Sequence, residues 1–462
     1  MRGGALSNRY LSGPVEMIHR SKRWVSGPAE ILLLLSIVAC VLEGTLRKWV
    51  FRESAGPIRY GCYFAKDIFF AAIVFCRARS GLNKSLGKVL MVSFPLILTG
   101  AGLAAVHELN LVGGLLSFRA LVGLPLLTYL IIPRLAGAKI HNVAFLIGGL
   151  TVLNALLGIT QYSSPGDAPI NFYATEDLAS ATAFEENVRA AGTFSYITGY
   201  SNLAVVGAWA GLSLLCLARG RLSYIVGGWG AYAASLLCAL VSISRGTVLT
   251  VLAALVALAI SGRHALGNLM KGLATLIVAV AIGYVFNLNS VVVKLSDTVI
   301  ARHEISDDTI EGRTVGPFLE AGLATEIAPL GSGFGTEQVA GVYAETGVMS
   351  MRRFESQFAR LVIETGLIGL LGFLMTCVGT LYVFFQVRRT VMDEGLRRVF
   401  VLGAFVVGSF FFTNVLFNHF ASFFAWVIVA ITFASASQAG ALPAVTSRQH
   451  GAATPALSSG MP

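Results

Sequence analysis

The amino-acid sequence predicts an all-α fold, a polytopic integral membrane protein of about 12 transmembrane helices. The first observation is the composition, because 55% of the 462 residues are hydrophobic and only 13% are charged, whereas soluble domains are about 25% charged. The second is that apolar runs of about 20 residues recur along the whole chain. The third is that basic residues gather in alternate connections between these runs. A soluble globular protein is therefore excluded.

Twelve apolar runs are long enough to cross a hydrocarbon core of roughly 30 Å. A basic segment, 1–28, precedes them, and we expect no cleavable signal peptide because the sequence has no small-residue cleavage site there. The tail, 437–462, is rich in Ala, Ser, Pro and Gly and is predicted to be disordered. The spans are predicted at residues 29–45, 58–76, 88–106, 110–132, 141–162, 193–218, 222–243, 246–262, 267–287, 357–386, 398–416 and 419–436.

The distribution of basic residues predicts which ends of the spans face the cytoplasm. Twenty of the 34 Lys and Arg residues fall on the same side as the N-terminus, and the positive-inside rule makes that side cytoplasmic. The net charge of +10 is then a topology signal and not the mark of a nucleic-acid-binding protein. Two long loops, 163–192 and 288–356, are predicted on the opposite side.

One loop conflicts with this rule. The connection between the first two spans lies outside but carries four cations, so either the first hairpin is shifted or the cations serve a purpose there. These cations are Arg47, Lys48, Arg52 and Arg59.

A single cation, Arg245, lies in the short connection SISRGTVLTV between the seventh and eighth spans. The topology puts it at the outer face, at the tip of a tight turn, with no acid near it in sequence. The planar guanidinium binds phosphate oxygens through two parallel hydrogen bonds. Several outer arginines together would suit a diphosphate attached to a lipid. The alternative is that each arginine extends to the membrane surface or pairs with an acid.

Other charged residues and a histidine lie within or beside the spans, at positions that the positive-inside rule does not explain. Arg119 is inside a span, where a charge costs at least a few kcal/mol and usually faces a cavity or a partner. The adjacent Lys66 and Asp67 are each expected to pair across helices. The remaining candidates are Arg189 before the sixth span, Arg313 in the large loop, Arg360 one turn into the tenth span, and His419 at the end of the eleventh.

Two further features are expected to be structural. The six cysteines lie in or beside apolar runs and form no CxxC pair, which predicts neither a disulfide nor a metal site. The glycine-rich PLGSGFGTE, residues 329–337, lacks the lysine and the preceding strand of a phosphate-binding loop. We expect a flexible turn there.

Several of these segments together resemble the O-antigen ligase and polymerase family of bacterial membrane proteins. The resemblance extends over about residues 29–436, and EGTLRKW, YFAKD and FRALVGLPLL are similar to the exopolysaccharide-polymerase branch. It implies a fold similar to the all-helical, GT-C-type membrane glycosyltransferases, in the bacterial inner membrane, with the active site facing the periplasm. The other matching segments are RAAGTFSYITGYSN, SISRGTVLTV, GRTVGPFLEAG, PLGSGFGTE and FARLVIETGLIGLLGFL.

The resemblance also implies a reaction, the transfer of a glycan from undecaprenyl diphosphate to an acceptor sugar without a metal or other cofactor. By motif, Arg245 and Arg313 would bind the diphosphate, with Arg189 as a further candidate. Family ligases carry a His–Asn pair nine and eight residues before the Glu of ETGLIG, whereas Glu355 and Ser356 stand at those positions here. This departure argues against a ligase for the lipid A core and makes Glu355 the candidate general base.

Three other interpretations stay open. The protein could be a ligase with another acceptor, a transporter or flippase for lipid-linked oligosaccharide, or a scaffold in an export complex. A transporter is expected to show inverted repeats and charges near the bilayer midplane. As an alternative to its role as general base, Glu355 could form a salt bridge with Arg352 or Arg353. The implied partners are an undecaprenyl-diphosphate-linked oligosaccharide, membrane lipid, and co-polymerase and export proteins, with no nucleic acid among them.

Overall fold

The protein is an all-helical bundle in a computed structural model. The structure describes residues 27–51, 56–172, 188–260, 316–337, 356–413 and 418–438. Within these ranges there is no β-strand, and nine helical stretches are long and apolar enough to cross a membrane. The predicted all-α fold is thereby confirmed, and the long apolar helices are compatible with a multi-pass membrane protein.

Thirteen α-helices and two π-helical segments build the described part of the chain. The π-helical segments are Leu46–Val50, which extends the first helix, and Arg119–Gly123, which joins the fourth helix to the fifth. The α-helices are α1 (Pro28–Thr45), α2 (Gly56–Ala72), α3 (Lys84–His107), α4 (Leu111–Phe118), α5 (Leu124–Ile131), α6 (Ile140–Ser163), α7 (Ile197–Leu217), α8 (Leu222–Val241), α9 (Arg245–Ile260), α10 (Gly316–Ile327), α11 (Gln357–Thr390), α12 (Glu394–Thr413) and α13 (His419–Gln438).

Eleven of the 12 predicted spans coincide with described helices. α2 and α9, with 17 and 16 residues, are shorter than the nine long spans. The predicted span 267–287 lies outside the described residues, so the total of 12 stays a prediction. α13 is the most enclosed, with 94% of its apolar window buried inside the protein.

Helices approach closely where glycine removes the side chain. α3 and α11 pack along each other, and a Cβ on Gly100 would lie 2.1 Å from the Thr365 carbonyl oxygen. A Cβ on Gly372 would lie 2.8 Å from the Ser93 carbonyl oxygen. Small residues of this kind allow the backbone contacts that hold helices together in lipid.

The helix ends that carry most of the candidate residues meet at one end of the bundle, here named the site end. The Thr193 hydroxyl donates to the Val41 carbonyl on α1 (2.7 Å), and the Ala190 amide donates to the Val241 carbonyl at the end of α8 (3.2 Å). The side-chain amide of Gln357, at the start of α11, donates through Nε2 to the Phe411 carbonyl near the end of α12 (2.6 Å). The opposite end, where α11 ends and α12 begins, is named the basic end.

The glycine-rich segment differs from the flexible turn we expected. Its backbone is fixed in a break of α11, because the Leu367 amide donates to the Pro329 carbonyl (2.9 Å) and the Ser332 amide donates to the Ile363 carbonyl (2.8 Å). The Phe334 amide donates to the Glu108 carbonyl (2.9 Å). Non-helical backbone is tolerated at membrane depth only where protein groups satisfy it in this way.

Candidate functional site

A non-helical segment, residues 188–196, lies at the site end between α1, α6 and α8. The Gln161 side-chain oxygen accepts from the Ala191 and Gly192 amides (3.1 and 2.7 Å), and the Asn154 side-chain oxygen accepts from the Thr193 amide (3.0 Å). The buried Lys48 ammonium donates to the Gly192 carbonyl (2.9 Å). The RAAGTFSY sequence is therefore a fixed part of the site end.

Arg189 and Arg245 meet at one turn. The Arg189 Nε donates to the Ser242 carbonyl (3.1 Å), at the end of α8, and α9 begins three residues later with Arg245. The turn is tight because Ile243 adopts a positive φ of 51°. Both arginine side chains are half-buried. The predicted tight turn at Arg245 is confirmed, and the structure adds Arg189 to the same corner.

A polar cluster fills the space between α1, α2, α4 and α13. We use this name for Glu43, Arg47, Lys66, Asp67, Arg119 and His419. Glu43 is its centre, because its Oε1 accepts from Arg47 Nη1 (2.9 Å) while its Oε2 contacts Lys66 Nζ (3.4 Å) and His419 Nε2 (3.0 Å). The Glu43 and Lys66 side chains are fully buried. The expected pairing of Lys66 across helices is confirmed.

Arg119 forms a two-pronged ion pair with Asp67. Its Nε and Nη2 donate to the two carboxylate oxygens of Asp67 (2.9 and 2.8 Å), and its Nη1 donates to the Ser422 hydroxyl (3.4 Å). Arg119 stands at the start of a π-helical segment, a local irregularity frequent at functional sites. The expected pairing of Asp67 is confirmed, and much of the Arg119 fork is already engaged within the protein.

The polar cluster carries more positive than negative charge. It holds three cations, Arg47, Lys66 and Arg119, and two carboxylates. The side chains of Arg47, Arg119 and His419 are 19%, 13% and 18% exposed, whereas Glu43 and Lys66 are closed off. The accessible edge of the cluster therefore presents two arginines and a histidine beside the carboxylate of Asp67, which is 16% exposed. Its formal charge is positive by one, which favours an anionic ligand.

A second polar group lies at the break in α11. The Ser117 hydroxyl donates to one oxygen of the buried Glu364 carboxylate, and the Glu337 amide donates to the other (3.2 Å). Arg360 lies one turn earlier on α11, is only 3% exposed and interacts favourably with the Glu364 charge. Ser117 precedes Arg119 by two residues, so one helical stretch contributes to this group and to the polar cluster from different sides.

Most of the residues proposed from the sequence are thus gathered at the site end, in three neighbouring groups. Arg119 and His419 belong to the polar cluster, Arg189 and Arg245 to the turn after α8, and Arg360 to the break in α11. Arg313 and Glu355 lie outside the described residues, so their predicted roles stay predictions. Two cations of the first outer connection have partners inside the protein. Arg47 contacts the Glu43 carboxylate, and Lys48 contacts the Gly192 carbonyl.

Sequence reasoning missed Glu43 and Lys48 as site residues, and used Glu364 only as a motif marker. Glu43 had a signal, since a carboxylate directly after a run of 12 apolar and small residues, 31–42, is costly without a partner. The signal for Lys48 was weaker. It is one of four cations in the first outer connection, where the positive-inside rule predicts few. Nothing in the sequence gave the role of Ser117.

Comparison of the chain with protein-family models finds no match, and comparison with curated proteins finds no similar sequence. Function must therefore be argued from the site.

Proposed function

We propose that the protein is a polysaccharide polymerase of the bacterial inner membrane. It transfers glycan chains from undecaprenyl diphosphate to an acceptor sugar at the periplasmic face, and its fold has 12 spans with loops 163–192 and 288–356 in the periplasm. The proposal rests on the family resemblance of the sequence motifs and on the chemistry of the site end.

The single observation that carries the proposal is the hydrogen-bonded link that the 188–196 segment makes between the polar cluster and the turn after α8. Arg47 Nη1 donates to both Glu43 and the Ser195 hydroxyl (3.3 Å), so the polar cluster is joined directly to the 188–196 segment. That segment in turn carries Arg189, which bonds the turn before Arg245. Arg47 and Arg189 are therefore tied to one stretch of fixed backbone, and Arg245 follows three residues after the carbonyl that Arg189 bonds. A diphosphate with several anionic oxygens would suit such a group of arginines.

The proposed reaction is a displacement at the anomeric carbon of the donor sugar. An acceptor hydroxyl oxygen forms the new glycosidic bond, its proton passes to Glu355, and the bond between the anomeric carbon and the diphosphate oxygen breaks. Arg245, Arg189 and Arg313 stabilise the charge that grows on the departing lipid diphosphate. Holding two lipid-linked substrates side by side supplies a further gain through proximity.

Arg245→Ala tests the proposal directly. Chain extension by the purified protein with lipid-linked repeat units should fall by about 10²- to 10³-fold, as when one oxyanion-stabilising donor is removed. Arg219→Ala is the matched control, because Arg219 is exposed at the basic end and pairs with Asp393. Equal chain extension by Arg245→Ala and the control, at equal protein levels, would remove the diphosphate assignment.

Glu355→Gln tests the proton acceptor. The amide cannot take a proton from the acceptor hydroxyl, so chain extension should fall while binding of the lipid-linked donor is kept. Full activity of Glu355→Gln would assign the base to another residue.

A transporter for lipid-linked oligosaccharide is the second candidate, favoured by one observation. α11 is discontinuous at Gly366, and a docked loop and a buried carboxylate, Glu364, lie at the break. Discontinuous helices of this kind form substrate and ion sites in transporters. Vesicles containing the purified protein separate the two functions, because a polymerase lengthens the glycan and a transporter only moves the lipid-linked unit across the bilayer.

A further inference from the structure

We propose that the basic end carries a binding site for an anionic glycerophospholipid, between the end of α11 and the start of α12. A cavity of about 440 Å³ opens there, lined by Phe385, Arg388, Arg389 and Arg397. Three of the four lining residues are arginines, and none is an acid. This site is separate from the proposed glycosyl transfer and does not depend on it.

The acids nearest in sequence to this cavity are engaged elsewhere. The Asp393 carboxylate pairs with Arg219 and also accepts from the Leu396 amide (2.8 Å). The Glu394 carboxylate pairs with Arg398 on the next turn of α12. The cavity arginines thus form a concentration of positive charge without a carboxylate in the cavity wall.

The connection between α11 and α12 holds one of these arginines in place. Arg397 Nε and Nη2 donate to the Val391 carbonyl (3.3 and 2.9 Å), which fixes its guanidinium at the connection between the two helices. Arg388 Nε is buried and finds no hydrogen-bond acceptor within the described part of the chain. A buried donor without a partner costs free energy, so the hairpin of α11 and α12 leaves part of the hydrogen-bonding capacity of Arg388 unused.

The surface of α11 leading to the cavity suits an acyl chain. Val378, Tyr382 and Phe385 are exposed at helical spacings of four and three residues, and exposed Arg389 follows one turn after Phe385. An apolar stripe therefore runs along the membrane-facing side of the helix and ends at the cationic cavity. A molecule with a phosphate at one end and hydrocarbon at the other matches both parts, whereas free phosphate matches only the first.

The location fits an anionic lipid of the cytoplasmic leaflet. The cavity lies at the end of α11 opposite to the site end, so a donor bound at Arg245 could not reach it. Basic residues close to an anionic membrane surface each strengthen binding about five-fold. Removing Arg388 and Arg389 should accordingly weaken lipid binding by about 10- to 30-fold.

The experiment measures binding of phosphatidylglycerol and phosphatidylcholine to the full-length protein in detergent, by native mass spectrometry and by the shift in Tm. The test variant is Arg388→Gln combined with Arg389→Gln. The matched control is Lys84→Gln combined with Lys88→Gln, two exposed cations at the start of α3, which lies beside the second half of α11. The wild type and the control should retain phosphatidylglycerol selectively, and the test variant should not.

Three results would overturn the proposal. They are equal loss of phosphatidylglycerol in both double variants, equal retention of phosphatidylcholine by the wild type, and displacement of the lipid by inorganic phosphate alone. Arg389→Gln by itself serves as the second variant if the double variant does not fold, because the Arg389 side chain is exposed. It should weaken phosphatidylglycerol binding about five-fold, and unchanged binding would equally reject the site.

Discussion

At the scale of single residues, the polar cluster depends on a carboxylate that neutralises several cations inside the bundle. Glu43 is fully buried and contacts Arg47, Lys66 and His419. Lys66 is fully buried as well, and the other carboxylate near it, Asp67, lies 4.0 Å away and already pairs with Arg119. In such pairs, removal of one member leaves a buried charge uncompensated and costs about 3–5 kcal/mol.

Glu43→Gln should therefore lower the stability of the folded protein by about 3 kcal/mol or more. Thermal unfolding of the purified protein in detergent measures the change. Glu394→Gln is the matched control, because Glu394 is exposed and its pair with Arg398 spans one helical turn, which contributes only about 0.3–0.5 kcal/mol. Adding Lys66→Met to Glu43→Gln should recover part of the loss. Equal Tm values for Glu43→Gln and Glu394→Gln would show that Glu43 does not compensate a buried charge.

The sequence predicted that Lys66 and Asp67 pair across helices, because unpaired charges inside a membrane are costly. It did not predict the partners, since Glu43 is 23 residues and Arg119 is 52 residues away along the chain. Which helix faces which charge depends on tertiary packing, and local hydropathy does not contain that information.

At the scale of the secondary-structure elements, α11 is the helix that departs most from regularity. Gly366 adopts φ 64° and ψ −174°, a conformation that is nearly restricted to glycine. A Cβ at this position would also lie 2.6 Å from the Leu330 carbonyl carbon. The break and the docked 329–337 loop therefore depend on each other.

Gly366→Ala should undock this loop. The strained backbone is expected to cost about 1–3 kcal/mol, and the amide hydrogens of Ser332 and Leu367 should exchange faster. Hydrogen exchange measured by mass spectrometry on peptides covering 329–337 and on peptides containing Leu367 reports the change. Gly149→Ala is the control, because a Cβ on that α6 glycine meets no atom within 4 Å and alanine favours a helix. Unchanged exchange in Gly366→Ala would mean that the break does not require glycine.

The span positions could be predicted because hydropathy is a property of contiguous sequence, and most predicted bounds lie within a few residues of the helices. The break at Gly366 could not, since GLIGLLGFL reads as an uninterrupted apolar helix. Its cause is the distant PLGSGFG sequence, whose backbone supplies the hydrogen bonds that the helix gives up. The same limit applies to the two π-helical segments, which place Arg47 and Arg119 in the polar cluster.

At the scale of the whole molecule, the two ends of the bundle differ in how deeply their charge pairs are buried, because the pair of Glu43 and Lys66 is fully buried while the pairs at the basic end are exposed to solvent. At the site end, Arg47, Arg119 and Arg189 bond to groups inside the protein. At the basic end, Arg388 and Arg389 line an open cavity. The sequence places basic residues in alternate connections, which predicted that the two ends of the bundle would differ in charge. It did not anticipate that the site end would hold a closed network of charge pairs.

Membrane sidedness is the assumption on which both proposals rest, and labelling of introduced cysteines tests it. In a variant without the six native cysteines, Gly246→Cys should react in intact cells with a maleimide that crosses the outer but not the inner membrane. Gly246 is exposed at the turn after Arg245. Met392→Cys is the matched control, because Met392 is 89% exposed at the basic end and should react only after the inner membrane is permeabilised. The opposite pattern would put Arg245 in the cytoplasm, where no periplasmic donor could meet it, and would turn the proposed phospholipid site to the outer leaflet.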